Sequence, residues 1–189
     1  LKSITGKNYV ERCVVKAIKK GIGIYAAHTN LDNAQGGVNY RIAEKIGLSN
    51  LSFLETKQFD VPAGAGVIGE LSEAEEEVHF LNRLKVMFGI KCVRHNTLNG
   101  RKIRRVALCG GAGGFLLADA IARGADAFLT GEMRYHDYFG HDDELLIAEM
   151  GHYESEQYTI DIFAEVLQKH FPELKIEKTS LNTNPIFYL

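Results

Sequence analysis

Val106-Ala107-Leu108-Cys109-Gly110-Gly111-Ala112-Gly113-Gly114 is an apolar run that empties into a glycine loop. An apolar run of this length bounded by glycine reads as a buried strand, and residues 115–123 after it read as a helix. The alternation repeats twice. Residues 126–129 form a strand ahead of a short helix around 135–139. The apolar Leu145-Leu146-Ile147-Ala148-Glu149-Met150 precedes a helix with Tyr158, Ile162, Phe163, Val166 and Leu167 on one face. Strands alternating with helices predict a largely parallel, mixed sheet covered on both faces, a three-layer α/β/α arrangement.

Upstream, residues 8–20 read as a helix with Val10, Cys13, Val14, Ala17 and Ile18 at helical spacing and Gly21 closing it. Ile22-Gly23-Ile24-Tyr25-Ala26-Ala27 then reads as a strand. Residues 38–46 are a second helix ended by Gly47, and 51–59 a strand with Pro62 beyond it. Gly64-Ala65-Gly66-Val67-Ile68-Gly69 formally fits the dinucleotide fingerprint. No βαβ unit surrounds it, so an extended segment is expected instead. Ser72-Glu73-Ala74-Glu75 has the form of a capping box, opening a helix that buries Val78, Leu81, Leu84, Met87 and Phe88. Residues 91–95 and 103–109 read as strands, and the tail, at 174–179 and 184–188, as an added edge strand. The break between two similar halves falls between 59 and 72. Residues 1–62 are then the remainder of an N-terminal half and 63–189 a C-terminal α/β half, packed together as one globular unit.

The 189 residues are 46% hydrophobic and 24% charged, with a net charge of -2. That composition belongs to a soluble globular chain. The charge gives no electrostatic case for nucleic acid, which wants a basic face. No apolar run approaches the roughly 18 residues of a membrane span, and nothing reads as a signal peptide. Cys13, Cys92 and Cys109 are scattered in apolar contexts, which suggests buried free thiols and a cytoplasmic protein.

The polar residues at strand exits carry the chemistry. His152 and Glu156, after the strand that ends near Met150, are four apart and share one helix face. An imidazole and a carboxylate placed so can hold a divalent cation. A capping histidine beside a solvated carboxylate is the plainer alternative. His28 and Asp32 repeat the spacing at the exit of the expected strand 22–27. Asp32 is the strongest candidate because a carboxylate can bridge two cations. Glu132 and His136, in Thr130-Gly131-Glu132-Met133-Arg134-Tyr135-His136, follow another strand exit. Either could shuttle a proton or orient a metal ligand; His136 could equally be a surface residue. The loop at Gly110–Gly114 lacks the Lys-Ser/Thr of a P-loop. Either it is a tight strand-to-helix turn, or its amides, with Gly111 and Gly113 foremost, receive an anion.

His28-Thr29-Asn30-Leu31-Asp32, Gly36-Gly37-Val38-Asn39, the glycine loop, Thr130-Gly131-Glu132 and Gly151-His152-Tyr153-Glu154-Ser155-Glu156 together resemble a known family. It is the dinuclear-metal family named after the NGG-interacting factor three, often called type-two GTP cyclohydrolase. The resemblance runs in order along the whole chain. It implies a metal-dependent hydrolase with cyclohydrolase activity on a nucleotide, and a ring-shaped homohexamer with sites facing an inner cavity. The family carries an adjacent His-His pair upstream of anything present here, so the chain reads as a member without its N-terminal portion. His28, Asp32, His152 and Glu156 are an oxygen and nitrogen set that does not discriminate among zinc, iron, manganese and nickel. Two cations need about seven donors. Four candidates therefore predict weak binding or one ion in this chain, against up to two in the full-length protein. A second function stays open: a non-catalytic metal store or carrier.

Overall fold

A computed structural model describes residues 3–57 and 60–189. Its one six-stranded sheet is built from β1 (Ser49–Lys57), β2 (Ala63–Glu76), β3 (Arg94–His95), β4 (Lys102–Cys109), β5 (Ala127–Thr130) and β6 (Leu146–Glu149). They lie in the order β1-β2-β4-β5-β6-β3. The expected end of β1 at Phe59 lies outside the described residues. The sheet is mixed. Among the described residues only β4-β5 and β5-β6 pair in parallel, and β1-β2, β2-β4 and β3-β6 are antiparallel. The chain's connections account for this. Residues 58–62 are too few for a crossover, which takes about a dozen residues or more, so β1 turns back on β2. The two sides of residue 62 also differ in what they contribute. The upstream part brings β1, and the parallel strands β4, β5 and β6 lie downstream.

Helices cover both faces. On one, α3 (Val38–Ile46), α4 (Glu77–Phe88) and α7 (Thr159–His170) pack Ile42, Ala43, Phe80, Leu84 and Ile162 onto Val106, Leu108 and Leu129 of the sheet. On the other, Leu116 and α5 (Leu117–Ala122) cover Ala107, Cys109, Phe128 and Ile147. Successive strand residues point to opposite faces. The unbroken apolar runs 106–109, 127–129 and 145–148 therefore supply both cores at once, and these residues are buried. The three-layer α/β/α arrangement follows.

Several local expectations are corrected. The capping box at Ser72 opens no helix: β2 continues to Glu76 because Glu75 and Glu76 pair with Ile103 and Lys102 of β4. The helix begins at Glu77, a buried carboxylate bonded to the Gly100 amide and the Arg101 guanidinium at 2.7 and 3.0 Å. Its register buries Phe80, while Val78 is exposed. The run 22–27 joins no sheet among the described residues, and Ile22, Ile24 and Tyr25 stand exposed. The apolar positions Val10 and Ile18 of α1 (Tyr9–Lys20) are exposed too, as is Cys13; Cys92 is exposed and only Cys109 is buried, all three as free thiols. The tail forms no strand among the described residues. It is held by short side-chain turns, with Asn182 and Asn184 accepting from the amides of Asn184 and Ile186. The Gly64–Gly69 segment is extended, inside β2. No described helix is long and apolar enough to cross a membrane.

Candidate metal centre

Because β4, β5 and β6 run parallel, their carboxyl ends lie at one edge of the sheet, where open α/β folds place their sites. Cys109 leaves β4 into the glycine loop, Thr130 leaves β5 towards Glu132, and β6 leads through Met150 and Gly151 into α6 (His152–Glu156). A fourth element joins them. The one-turn helix α2 (Thr29–Asp32) starts at His28 and ends in Asp32. It is tied to the sheet by the Gly64 amide on Asn33 O at 3.0 Å and the bridge between Ala34 and Ala63.

The clamp between these elements is Asn39, at the start of α3 and almost completely buried. Its amide nitrogen donates to Asp32 O at 3.0 Å and its Oδ1 accepts from the Gly110 amide at 2.8 Å. Ser155 does the same for α6: its Oγ accepts from the Gly111 amide at 2.9 Å and donates to His152 O at 2.8 Å. Neither residue was singled out from sequence. The signal available was a small polar residue beside each motif, Asn39 after Gly36-Gly37 and Ser155 between His152 and Glu156.

These clamps bring His28, Asp32, His152 and Glu156 into one electrostatic neighbourhood. Burial raises the Asp32 carboxyl above its ordinary range, against the pull of His28 and His152. Burial likewise raises Glu156, with His152 opposing and the Asp32 charge adding. Below them Cys109 is pushed up to about 12 by burial and by the charges of Asp32 and Glu156, so its thiol stays protonated. The imidazole of His152 is oriented at both nitrogens. Nδ1 lies 2.7 Å from Glu132 Oε1, and Nε2 lies 3.5 Å from Glu156 Oε2. Glu132 can accept from Nδ1–H and so orient the ring, and a cation between Nε2 and Glu156 would stand where a proton otherwise would. This is the carboxylate–histidine arrangement that prepares an imidazole for a cation.

The donor chemistry fits a divalent cation: two half-buried carboxylates, both raised by burial, and an imidazole oriented between Glu132 and Glu156. The side-chain conformers leave the centre open. Among the described residues, no three His, Cys, Asp or Glu side chains close on one point where a metal ion could sit. His28 is exposed at the rim, its Nδ1 3.0 Å from Thr29 Oγ1.

Two expected site assignments are corrected. Gly111 and Gly113 offer no amides to an anion, because hydroxyls of the neighbouring strand exits take them. The Gly111 amide donates to Ser155 Oγ, and that of Gly113 to Thr130 Oγ1 at 3.1 Å. Gly111 serves clearance instead. At φ +61° its absent Cβ would stand 2.4 Å from Glu156 Oε1 and 3.3 Å from His152 Nε2. His136 lies on the 3-10 turn Tyr135–Tyr138, exposed, edge-on to Tyr135 and stacked against Phe139.

The chain has known relatives. The family model described as Duf34/NIF3 (NGG1p interacting factor 3) matches residues 1–185. The chain is 32% identical over 195 residues to the GTP cyclohydrolase 1 type 2 homolog of Lactococcus lactis, covering 99% of this chain and 72% of that one. It is 30% identical over 155 residues to the protein of the same name from Clostridium perfringens, covering 82% of this chain and 59% of that one. The crystal structure of the hypothetical protein SA1388 of Staphylococcus aureus superimposes with a TM-score of 0.89 at 25% identity, covering 100% of this chain and 76% of that one. The match along nearly the full chain, in sequence and in fold, makes this chain a member of the DUF34/NIF3 family.

Proposed function

We propose that the centre formed by His28, Asp32, His152 and Glu156 holds a divalent cation, zinc, iron, manganese or nickel, and serves a metal-dependent hydrolase acting on a nucleotide. The observation that carries the reading is the Glu132–His152–Glu156 line, 2.7 Å on one side of the imidazole and 3.5 Å on the other. A structural histidine needs no carboxylate on both nitrogens, whereas a ligand needs one to set its tautomer. When bound, a cation of this kind polarises water and substrate oxygens towards attack near neutral pH. The chain's own residues have distinct tasks. Asp32 and Glu156 supply the negative charge, and Glu132 fixes the proton on His152 Nδ1. Asn39 and Ser155 hold the two ligand-bearing turns in register. The name of the Lactococcus and Clostridium relatives, GTP cyclohydrolase 1 type 2 homolog, suggests a purine nucleotide as substrate. The reading extends to a full-length protein holding up to two ions in a cytoplasmic homohexamer.

A second reading, a metal store or carrier, is favoured by one observation: the amides of Gly111 and Gly113 are already paired and give a substrate phosphate no cradle. One experiment separates the two. Metal content per chain after dialysis, by plasma emission, is expected to be near one ion and to vanish in Asp32→Ala, and GTP hydrolysis is expected to vanish with it. Metal retained in Asp32→Ala means the site is misplaced. Metal held without turnover of any nucleotide supports the carrier.

A further inference from the structure

We infer that a second cavity, across Glu132 from the centre, is the subsite for the phosphate end of the nucleotide, held by Arg94 and Arg134. The inference rests on the nucleotide reading of the centre and adds where the charged end lies. A cyclohydrolase attacks a ring carbon, so the ring belongs at the centre and the phosphates extend to one side of it. The amides of Gly111 and Gly113 are taken by Ser155 and Thr130, so side chains have to meet them. The cavity of about 620 Å³ beside His152 and Glu156 has no Lys or Arg among the described residues of its lining. The neighbouring cavity, of about 530 Å³, is lined by both Arg94 and Arg134, and the two cavities share Glu132.

The fold brings Arg94 there. The two-residue strand β3 pairs with β6 so that Arg94 lies opposite Glu149, a cross-strand pair of opposite charge. Glu149 is the one charged residue of the apolar run 145–150, and it ends β6 at the sheet edge that carries the centre. Its Oε1 accepts from Arg94 Nη1 and its Oε2 from the Tyr138 hydroxyl, both at 2.9 Å. The guanidinium also lies over the Tyr138 ring, 5.6 Å from its centroid. Arg134 enters from the β5 exit, two residues after Glu132. It is fixed by Asp137, which accepts from Nε at 2.9 Å and from Nη2 at 3.1 Å.

These pairings orient the two guanidiniums without exhausting their donors. Among the described residues, the hydrogen bonds of Arg94 use Nη1 and leave Nε and Nη2, and those of Arg134 use Nε and Nη2 and leave Nη1. A phosphate accepts from such donors in charge-assisted bonds, and the planar guanidinium suits it better than an ammonium does. The carboxylates of the lining are already engaged. Glu149 and Asp137 are each matched by their arginine. Glu132 is matched on its other side by His152 at 2.7 Å, with the cation proposed for the centre beyond it. Phe115 stands exposed on the same lining, an apolar surface that suits a nucleotide better than a bare ion.

Guanosine and guanosine monophosphate differ by one phosphate, so calorimetric titration of both into metal-free and zinc-loaded protein reads the subsite. The monophosphate is expected to bind at least about tenfold more tightly to both forms, as one or two charge-assisted hydrogen bonds provide. Arg94→Gln is expected to bring that advantage to within about threefold, with guanosine affinity and zinc content unchanged. Arg134→Gln is expected to lower it in the same direction, and since Arg134 is exposed this variant keeps its fold. Equal affinity of the two compounds, or an advantage that survives both substitutions or exists only with zinc, overturns the subsite and leaves the nucleotide reading standing. No binding of either compound overturns both. Zinc not retained by the wild type, with the advantage intact, overturns the metal centre alone and supports the subsite.

Discussion

Gly111→Ala separates the glycine loop's backbone role from its role at the centre. Gly111 sits at φ +61°, and a Cβ there would lie 2.4 Å from Glu156 Oε1 and 3.3 Å from His152 Nε2. Two costs follow, and they fall on different observables. An alanine held in the left-handed region costs about 1–2 kcal/mol. For a chain of this length that is a fall in Tm of about 2–8 °C. The contact at 2.4 Å falls on the end of a flexible carboxylate, which can swing away at little cost to stability but takes a donor out of the centre. Zinc affinity, measured by competition with a chromophoric chelator, is therefore expected to drop more than tenfold, more than the modest Tm change would suggest. Gly140→Ala is the control. It has φ +85° and nothing within 4 Å of its Cβ, so it carries the backbone cost without the clash. A Gly111→Ala protein that binds zinc like the wild type refutes the clearance argument. A Gly140→Ala protein that loses zinc equally would show that general destabilisation, not the site, governs affinity.

Two further outcomes follow from the same geometry. Glu132→Ala frees His152 Nδ1 and its tautomer, and loss of such an orienting carboxylate lowers metal affinity by about 10–100-fold; chelator competition reads it, and an affinity unchanged within twofold removes Glu132 from the centre. Asp32 and Glu156 are both raised by burial, so in metal-free protein the stability they contribute is complete below the ordinary carboxylate range, near pH 4. It is lost as pH climbs through their higher folded values. Asp32→Asn is therefore expected to melt higher than the wild type at pH 7 without metal. Excess zinc should reverse that order by stabilising only the form that binds it. A metal-free wild type at least as stable as Asp32→Asn at pH 7 would contradict the burial argument.

What could be read from the sequence depended on how local its cause is. The strands at 106–109, 127–130 and 146–149 were legible because an apolar run that is buried on both faces needs no particular partner to be recognised. The run 22–27 looks the same in sequence, yet it joins no sheet among the described residues, because an apolar run does not name the strand beside it. Ser72-Glu73-Ala74-Glu75 misled for the same reason. Local propensity favoured a helix start, and pairing with Ile103 and Lys102, distant in sequence, kept the chain extended. The approach of His152 to Glu156 was legible because one turn of α6 brings residues four apart to 3.5 Å, whereas His28 stands before α2, off its helical geometry.

The glycine loop shows where motif reading ends. Its composition is compatible with two opposite uses of a bare backbone: amides turned out to hold an anion, or Cβ atoms omitted so that other groups can come close. Only the location of Ser155 and Thr130 distinguishes them, since a hydroxyl within 2.9 Å of Gly111 N and another within 3.1 Å of Gly113 N leave those amides nothing to give. Both hydroxyls come from strand exits that become neighbours only when β4, β5 and β6 lie side by side. Once the amides are taken, the value of Gly111 lies in what it lacks. The space a Cβ would fill is the space in which Glu156 and His152 approach each other, so the loop shapes the centre by vacating it.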